Sequence, residues 1–239
     1  MLRWINDREN AKYIICFRPL YGAAVGIVMC IFQILCQRFD FGQPCFAFIG
    51  ATIPVLMSGG VYLSGFMNTS EALAERLAAK AGAKVPEHHG TYAFIAAVTF
   101  YLLYAGGLSL VRKDRQLALL GLGYVISGTL YGMAFVWFPE AEKRAEKGKG
   151  GGEAVPVGLK KTLRIILSVI LTLSFCTCAV IEPIMGMLEA LLCMWIWTYY
   201  YYMSKKAFGG ITKESAEYFL ILCELATVLF VGMFGKAFL

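Results

Sequence analysis

The sequence predicts an all-α protein, a multi-pass transmembrane bundle of six or seven helices, on three observations. Of its 239 residues, 59% are hydrophobic and 16% charged, where a soluble domain carries about a quarter charged. The apolar residues gather in runs of about 20, the length that crosses roughly 30 Å of hydrocarbon. The runs 92–111, 116–138 and 218–238 lack the polar stripe that a helix on a soluble core presents to water.

The first span, 14–36, follows a polar segment from Asn6 to Lys12 and carries Arg18 just ahead of Pro19. It has no small-residue cleavage site and is expected to be retained. A second span over 45–66 runs into a polar loop, 67–91. Within that loop Ala, Glu, Leu, Lys and Arg predominate from Glu71 to Lys84, all good helix formers. A short helix ended by Pro86 is expected there. The spans 92–111 and 116–138 follow, then a loop over 139–162 dense in Lys, Glu and Gly. Its run Gly148-Lys149-Gly150-Gly151-Gly152 cannot hold a helix and is expected to be a mobile connector. It is no phosphate-binding loop, because the Gly-Lys-Ser/Thr ending and a preceding strand are missing.

Between the spans 163–182 and 185–203 stands only Glu182-Pro183-Ile184. The residue before a proline is pushed out of the α region, so a tight turn is expected. Trp195, Trp197 and Tyr199 to Tyr202 suit an interfacial belt at the end of the sixth span. A loop over 204–217 leads to the last span. All of 1–239 reads as a single membrane domain.

Lysine and arginine set the orientation. Arg3, Arg8 and Lys12, then Arg76, Lys80 and Lys84, then the six cations of 139–162, then Lys205, Lys206 and Lys213 all fall on one side of a seven-span arrangement. Arg38, Arg112, Lys113, Arg115 and Lys236 fall on the other. The richer side is expected in the cytoplasm, with the N-terminus, as in a bacterial inner-membrane protein. The net charge of +6 then has a topological cause and implies no nucleic-acid partner; its lysines face the anionic bilayer surface. The eight cysteines form no C-x-x-C pair, so neither zinc nor a disulfide framework is indicated.

Polar residues interrupt this pattern in three places. Ser64, Asn68, Glu71 and Glu75 follow one another at i, i+4, i+7 and i+11, which puts them on one helix face. Glu87-His88-His89-Gly90 and Gly209-Gly210-Ile211-Thr212-Lys213-Glu214 lie on the same side of the membrane, and Glu217 and Glu224 share the face of Glu214 or lie near it. A carboxylate such as Glu224 costs about 2.5–3.5 kcal/mol at mid-membrane and faces the bundle interior or a cavity. His88 and His89 point about 100° apart on a helix and lack zinc spacing, so they read as solvated loop residues. Glu189 in the sixth span is expected to find a partner on a neighbouring helix. Arg18 can snorkel to the surface or hold a fixed positive charge against a phosphate.

These segments resemble the cobalamin synthase family, adenosylcobinamide-GDP ribazoletransferase. Its pattern G-G-x-H-L-D-G-x-x-D-T-x-D-A/G is met by Gly59-Gly60-Val61-Tyr62-Leu63-Ser64-Gly65-Phe66-Met67-Asn68-Thr69-Ser70-Glu71-Ala72. Its F-P-L-x-G resembles Phe17-Arg18-Pro19-Leu20-Tyr21-Gly22, and its D-S-x-x-G-x-x corresponds to 86–92. Its G-G-x-T-G-D is similar to 209–214, and Glu224-Leu225 matches an E-L of its final span. In this chain Ser64 and Asn68 replace aspartates, Glu71 and Glu214 are lengthened acids, and Pro86 stands at a further aspartate position.

The resemblance implies a magnesium-dependent phosphotransferase that joins adenosylcobinamide-GDP to α-ribazole or its phosphate with release of GMP. It implies Mg2+ on Asn68, Glu71 and Glu214, with Ser64 and Glu224 orienting substrate or ligands. Arg18, Thr69, His88 and Thr212 are then expected on the substrate. Magnesium takes hard oxygen ligands, which explains why such a site wants carboxylates. The expected partners are the corrinoid nucleotide, α-ribazole, the lipid bilayer and other cobamide-assembly membrane proteins. Two alternatives stand beside it. One is a catalytically impaired relative that keeps the fold as a binding or assembly partner. The other is a small permease using Glu189 and Glu224, although the chain lacks the repeated broken spans of secondary transporters.

Overall fold

A computed structural model describes residues 17–82, 89–139 and 157–238. Eight helices account for nearly all of them, and no strand occurs among the described residues. Helix α1 (Arg18–Arg38) carries Pro19 in its first turn, where a missing N–H costs nothing, and Arg38 in its last, where a cation complements the helix dipole. Helix α2 (Gly42–Met57) and helix α3 (Val61–Lys80) are bent by 92° at the break between them. The expected uninterrupted span 45–66 is therefore corrected. Gly59 (φ 62°) and Gly60 (φ 78°) take the left-handed conformation that glycine adopts without a Cβ penalty. Gly59 N–H and Gly60 N–H close back onto the carbonyls of Leu56 (3.0 Å) and Val55 (2.9 Å). The short helix expected from Glu71, in a stretch that begins as a continuation of the second span, is the second half of α3. Pro86, its expected stop, lies outside the described residues.

Helix α4 (Thr91–Ser109) and helix α5 (Asp114–Trp137) follow. Helix α6 (Val157–Ile181) starts earlier than the expected span at 163, and the glycine-rich run 148–152 lies outside the described residues. Helix α7 (Pro183–Phe208) starts one residue after α6 ends, at the expected turn. Helix α8 (Lys213–Phe238) shortens the expected 204–217 loop to residues 209–212. Helices α1, α4, α5, α6 and α8 are long and apolar enough to cross a bilayer, and counting the bent pair α2–α3 as one broken span gives six. The 26-residue α7, with its Trp and Tyr residues, does not reach that apolarity.

Helix α5 occupies the centre, packed by α1, α6, α7 and α8. Glycine lets α1 press onto it, since a Cβ on Gly22 would run into the Tyr124 carbonyl. Two ends of the bundle can be told apart. At one, Gln43 Nε2 donates to the carbonyls of Leu108 (3.2 Å) and Val111 (2.6 Å), and Arg115 pairs with Glu182. At the other, Ile211 N–H donates to the Pro139 carbonyl (2.9 Å) and the Arg76 guanidinium lies over the Phe208 ring. Glu189 is wholly buried at mid-bundle, and neither carboxylate oxygen has a hydrogen-bond partner among the described residues. The partner expected for it is replaced by close packing on Gly123, where a Cβ would lie 2.6 Å from its Oε1.

Candidate functional site

A cavity of ≈ 370 Å³ opens where the α2–α3 break meets the start of α8. It is lined by Gly59, Gly60, Val61, Ser64, Gly65, Asn68, Lys213, Glu214 and Glu217. Ser64 and Asn68 reach it because they are one turn apart on α3. Glu214 and Glu217 reach it because they stand three apart on α8. Gly65 brings the two walls together: a side chain there would collide with the Glu217 carboxylate.

The α8 wall is fixed by a reciprocal cap. Thr212 N–H donates to Ser215 Oγ (3.0 Å), and Ser215 N–H donates to Thr212 Oγ1 (3.1 Å). Tyr200 Oη lies 3.2 Å from the same Ser215 hydroxyl. Lys213 and Glu214 are exposed beside this cap, whereas Glu217 is buried. The Thr212 side chain, expected on the substrate, is thus engaged in ending the turn.

The polar stripe on α3 divides between two neighbours. Ser64 and Asn68 face the cavity, but Glu71 does not line it. Its carboxylate accepts N–H groups from Gly90 (3.0 Å) and Ala93 (2.6 Å), capping the start of α4. Glu75 Oε1 lies 3.4 Å from Nδ1 of the exposed His89. Glu71 therefore stands apart from the ligand set in which the sequence placed it. The bend turns the far half of α3 toward α4, whose backbone donors take up both carboxylate oxygens. Thr69 is buried and Glu224 lies inside the bundle within electrostatic reach of Tyr21, Tyr104 and Tyr124; neither lines the cavity. His88 lies outside the described residues.

Arg18 is held between two aromatic faces instead of extending to the surface. Its guanidinium carbon is 4.8 Å from the centroid of Tyr62 and 4.7 Å from that of Tyr131, within cation–π range. Nη2 is 3.5 Å from Tyr131 Oη.

The cavity's donors are hard oxygens: two carboxylates, an amide and a hydroxyl. No cluster of three or more His, Cys, Asp or Glu side chains able to hold a metal occurs among the described residues. Magnesium does not require one, because it binds through one or two carboxylates and completes its shell with substrate phosphates and water. The donor set fits that ion. Two charged lining residues, Lys213 and Glu217, were not among the candidate site residues. The signal for Glu217 was its i+3 spacing from Glu214; for Lys213 it was adjacency alone.

Residues 2–232 match the cobalamin-5-phosphate synthase family. The chain is similar to an adenosylcobinamide-GDP ribazoletransferase of Lachnoclostridium phytofermentans, with 28% identity over 97% of this chain and 87% of the relative. It is also similar to one of Clostridium perfringens strain SM101, at 24% identity over 95% and 90% of the two chains. No solved structure matches.

Proposed function

Because the chain belongs to the cobalamin-5-phosphate synthase family, we propose that it joins adenosylcobinamide-GDP to α-ribazole or its phosphate, releasing GMP, at the cavity between α3 and α8. The observation that carries this reading is the meeting of Ser64 and Asn68 with Lys213, Glu214 and Glu217 around one opening. In the reaction a ribazole hydroxyl attacks the phosphorus that bears the cobinamide. A P–O bond to ribazole forms, the bridging P–O bond to GMP breaks, and the hydroxyl loses its proton.

Each wall has a part in that exchange. Ser64 and Asn68 donate hydrogen bonds to the diphosphate, and Lys213 offsets its charge. Two helix starts, those of α3 and α8, add favourable dipole ends for an anion. Glu217, buried behind Gly65, takes the hydroxyl proton. Glu214 with Asn68 would hold Mg2+, which supplies neutralisation of the charge that grows on the leaving phosphate. Glu71 keeps α4 in register, and Arg18 meets a phosphate oxygen. The excess of lysine and arginine in the loops on this side supports reading this end of the bundle as the cytoplasmic one in a bacterial inner membrane, with the N-terminus inside.

The test is turnover by the full chain in lipid nanodiscs with both substrates and magnesium, following GMP and the corrinoid product. Turnover is expected, and Glu217→Gln is expected to lower kcat by about 10²–10⁴-fold, the range for removing a general base, with an unchanged Tm. Silence of the wild-type chain, with activity restored by Ser64→Asp and Asn68→Asp together, would replace this reading with that of a scaffold that has lost its catalytic site.

A further inference from the structure

We propose that Tyr62 and Tyr131 are positioning residues, clamping the Arg18 guanidinium between their rings so that it receives a phosphate oxygen of the nucleotide substrate. The proposal rests on the reaction assigned above. Three helices build the clamp: Arg18 begins α1, Tyr62 lies in the first turn of α3, and Tyr131 lies in α5. Both tyrosines are buried, at 5% and 2% exposure, so their rings cannot swing away from the cation. Tyr62 is held in turn by an edge-to-face contact with Tyr21 (5.2 Å), whose hydroxyl donates to the Pro54 carbonyl (2.9 Å). Gly128 seats the backbone of the cation, since a Cβ there would stand 2.7 Å from the Arg18 carbonyl oxygen.

The hydrogen bonding of Arg18 is incomplete. A guanidinium has five N–H donors and no acceptor. Here Nε is buried without a partner, and Nη2 makes one contact at 3.5 Å. No carboxylate pairs with Arg18 among the described residues. Arg18 is partly exposed, and although it does not line the cavity, its fixed charge stands behind the turn whose Val61 and Ser64 do. Planar donors of this kind match a phosphate. A substrate phosphate and a lipid headgroup share that chemistry; the seat beside the first turn of α3 favours the substrate.

Equilibrium binding of adenosylcobinamide-GDP to the full chain in nanodiscs tests this without requiring turnover. Arg18→Gln is expected to weaken binding about 10-fold or more, as for loss of a hydrogen bond to a charged group. Tyr62→Leu and Tyr131→Leu are each expected to weaken nucleotide binding about threefold to thirtyfold, the range of a partly desolvated cation–π contact. Tyr62→Phe and Tyr131→Phe keep the ring faces and are expected to stay within threefold of wild type. Leucine variants that bind like wild type would overturn the clamp, as would phenylalanine variants that fail like the leucine ones. An Arg18→Gln effect seen in anionic nanodiscs but absent in phosphatidylcholine nanodiscs would assign the cation to lipid and also overturn it. Wild-type binding without turnover would remove the proposed reaction and leave the clamp standing. No wild-type binding would remove both.

Discussion

At Glu182 the chain leaves α6 and enters α7 within a single residue, whereas at 58–60 it leaves α2 and enters α3 through three residues and a bend of 92°. The first break is closed by contacts to the helices on either side, although Pro183 and Ile184 at its edge are exposed. Glu182 is extended (φ −149°, ψ 107°), and Pro183 brings no N–H that needs a partner. Arg115 Nη1 reaches Glu182 Oε1 at 2.5 Å, and Gly186 packs against the Cys178 backbone. The second break is open. Gly60 ends it in the left-handed region, and a Cβ at either glycine would meet nothing within 4 Å. Irregular backbone in a membrane protein is tolerated where protein covers it or where it borders a wet cavity. The two breaks represent those two solutions, and the polar residues follow the open one.

The comparison can be broken most forcefully at the glycines that touch backbone or carboxylate. Gly186→Ala should cost about 2–3 kcal/mol as an overpacked contact, read as a lower Tm in detergent, because the Cys178 carbonyl cannot move aside. Gly65→Ala should act on the open side instead, displacing Glu217 and reducing turnover at least tenfold with a smaller change in Tm. Equal Tm losses for the two would erase the distinction between a closed and an open break. Glu71→Gln weakens a charged cap and should cost about 1–2 kcal/mol while leaving the magnesium dependence of turnover in place; loss of that dependence would return Glu71 to the metal. Gly60→Ala meets only backbone strain and should cost about 1 kcal/mol, with Gly60→Asn milder. Arg115→Gln should be the smallest, below about 1 kcal/mol, because Arg115 is largely exposed.

Much of this architecture was legible in the residues. Apolar runs of bilayer length marked the spans, and Pro183 marked the α6–α7 turn because proline constrains its neighbour wherever it stands. The α2–α3 break was hidden, since Gly59 and Gly60 sit inside a run that stays apolar from Phe46 to Val61 with few polar interruptions. Glycine permits a turn without requiring one. Within the site, Ser64, Asn68 and Glu214 were readable from their motifs. The role of Glu71 was not. Helical spacing fixes the direction in which a side chain leaves its helix, but what it meets depends on the neighbour, and along α3 the neighbour changes from α8 to the start of α4.

The one-residue link at Glu182 also limits the order in which the chain can be made. No slack exists for α6 to settle across the bilayer while α7 waits outside, so the two must insert as a paired unit. The strongly apolar α6 then draws in α7, which falls short of the apolarity of a self-sufficient span and carries Glu189 at its buried face. Helix α5, synthesised earlier, already offers Gly123 as the seat for that carboxyl group. Lengthening the link with a few flexible residues should uncouple insertion of α7 from that of α6 and leave a fraction of newly made chains with α7 outside the membrane, open to added protease.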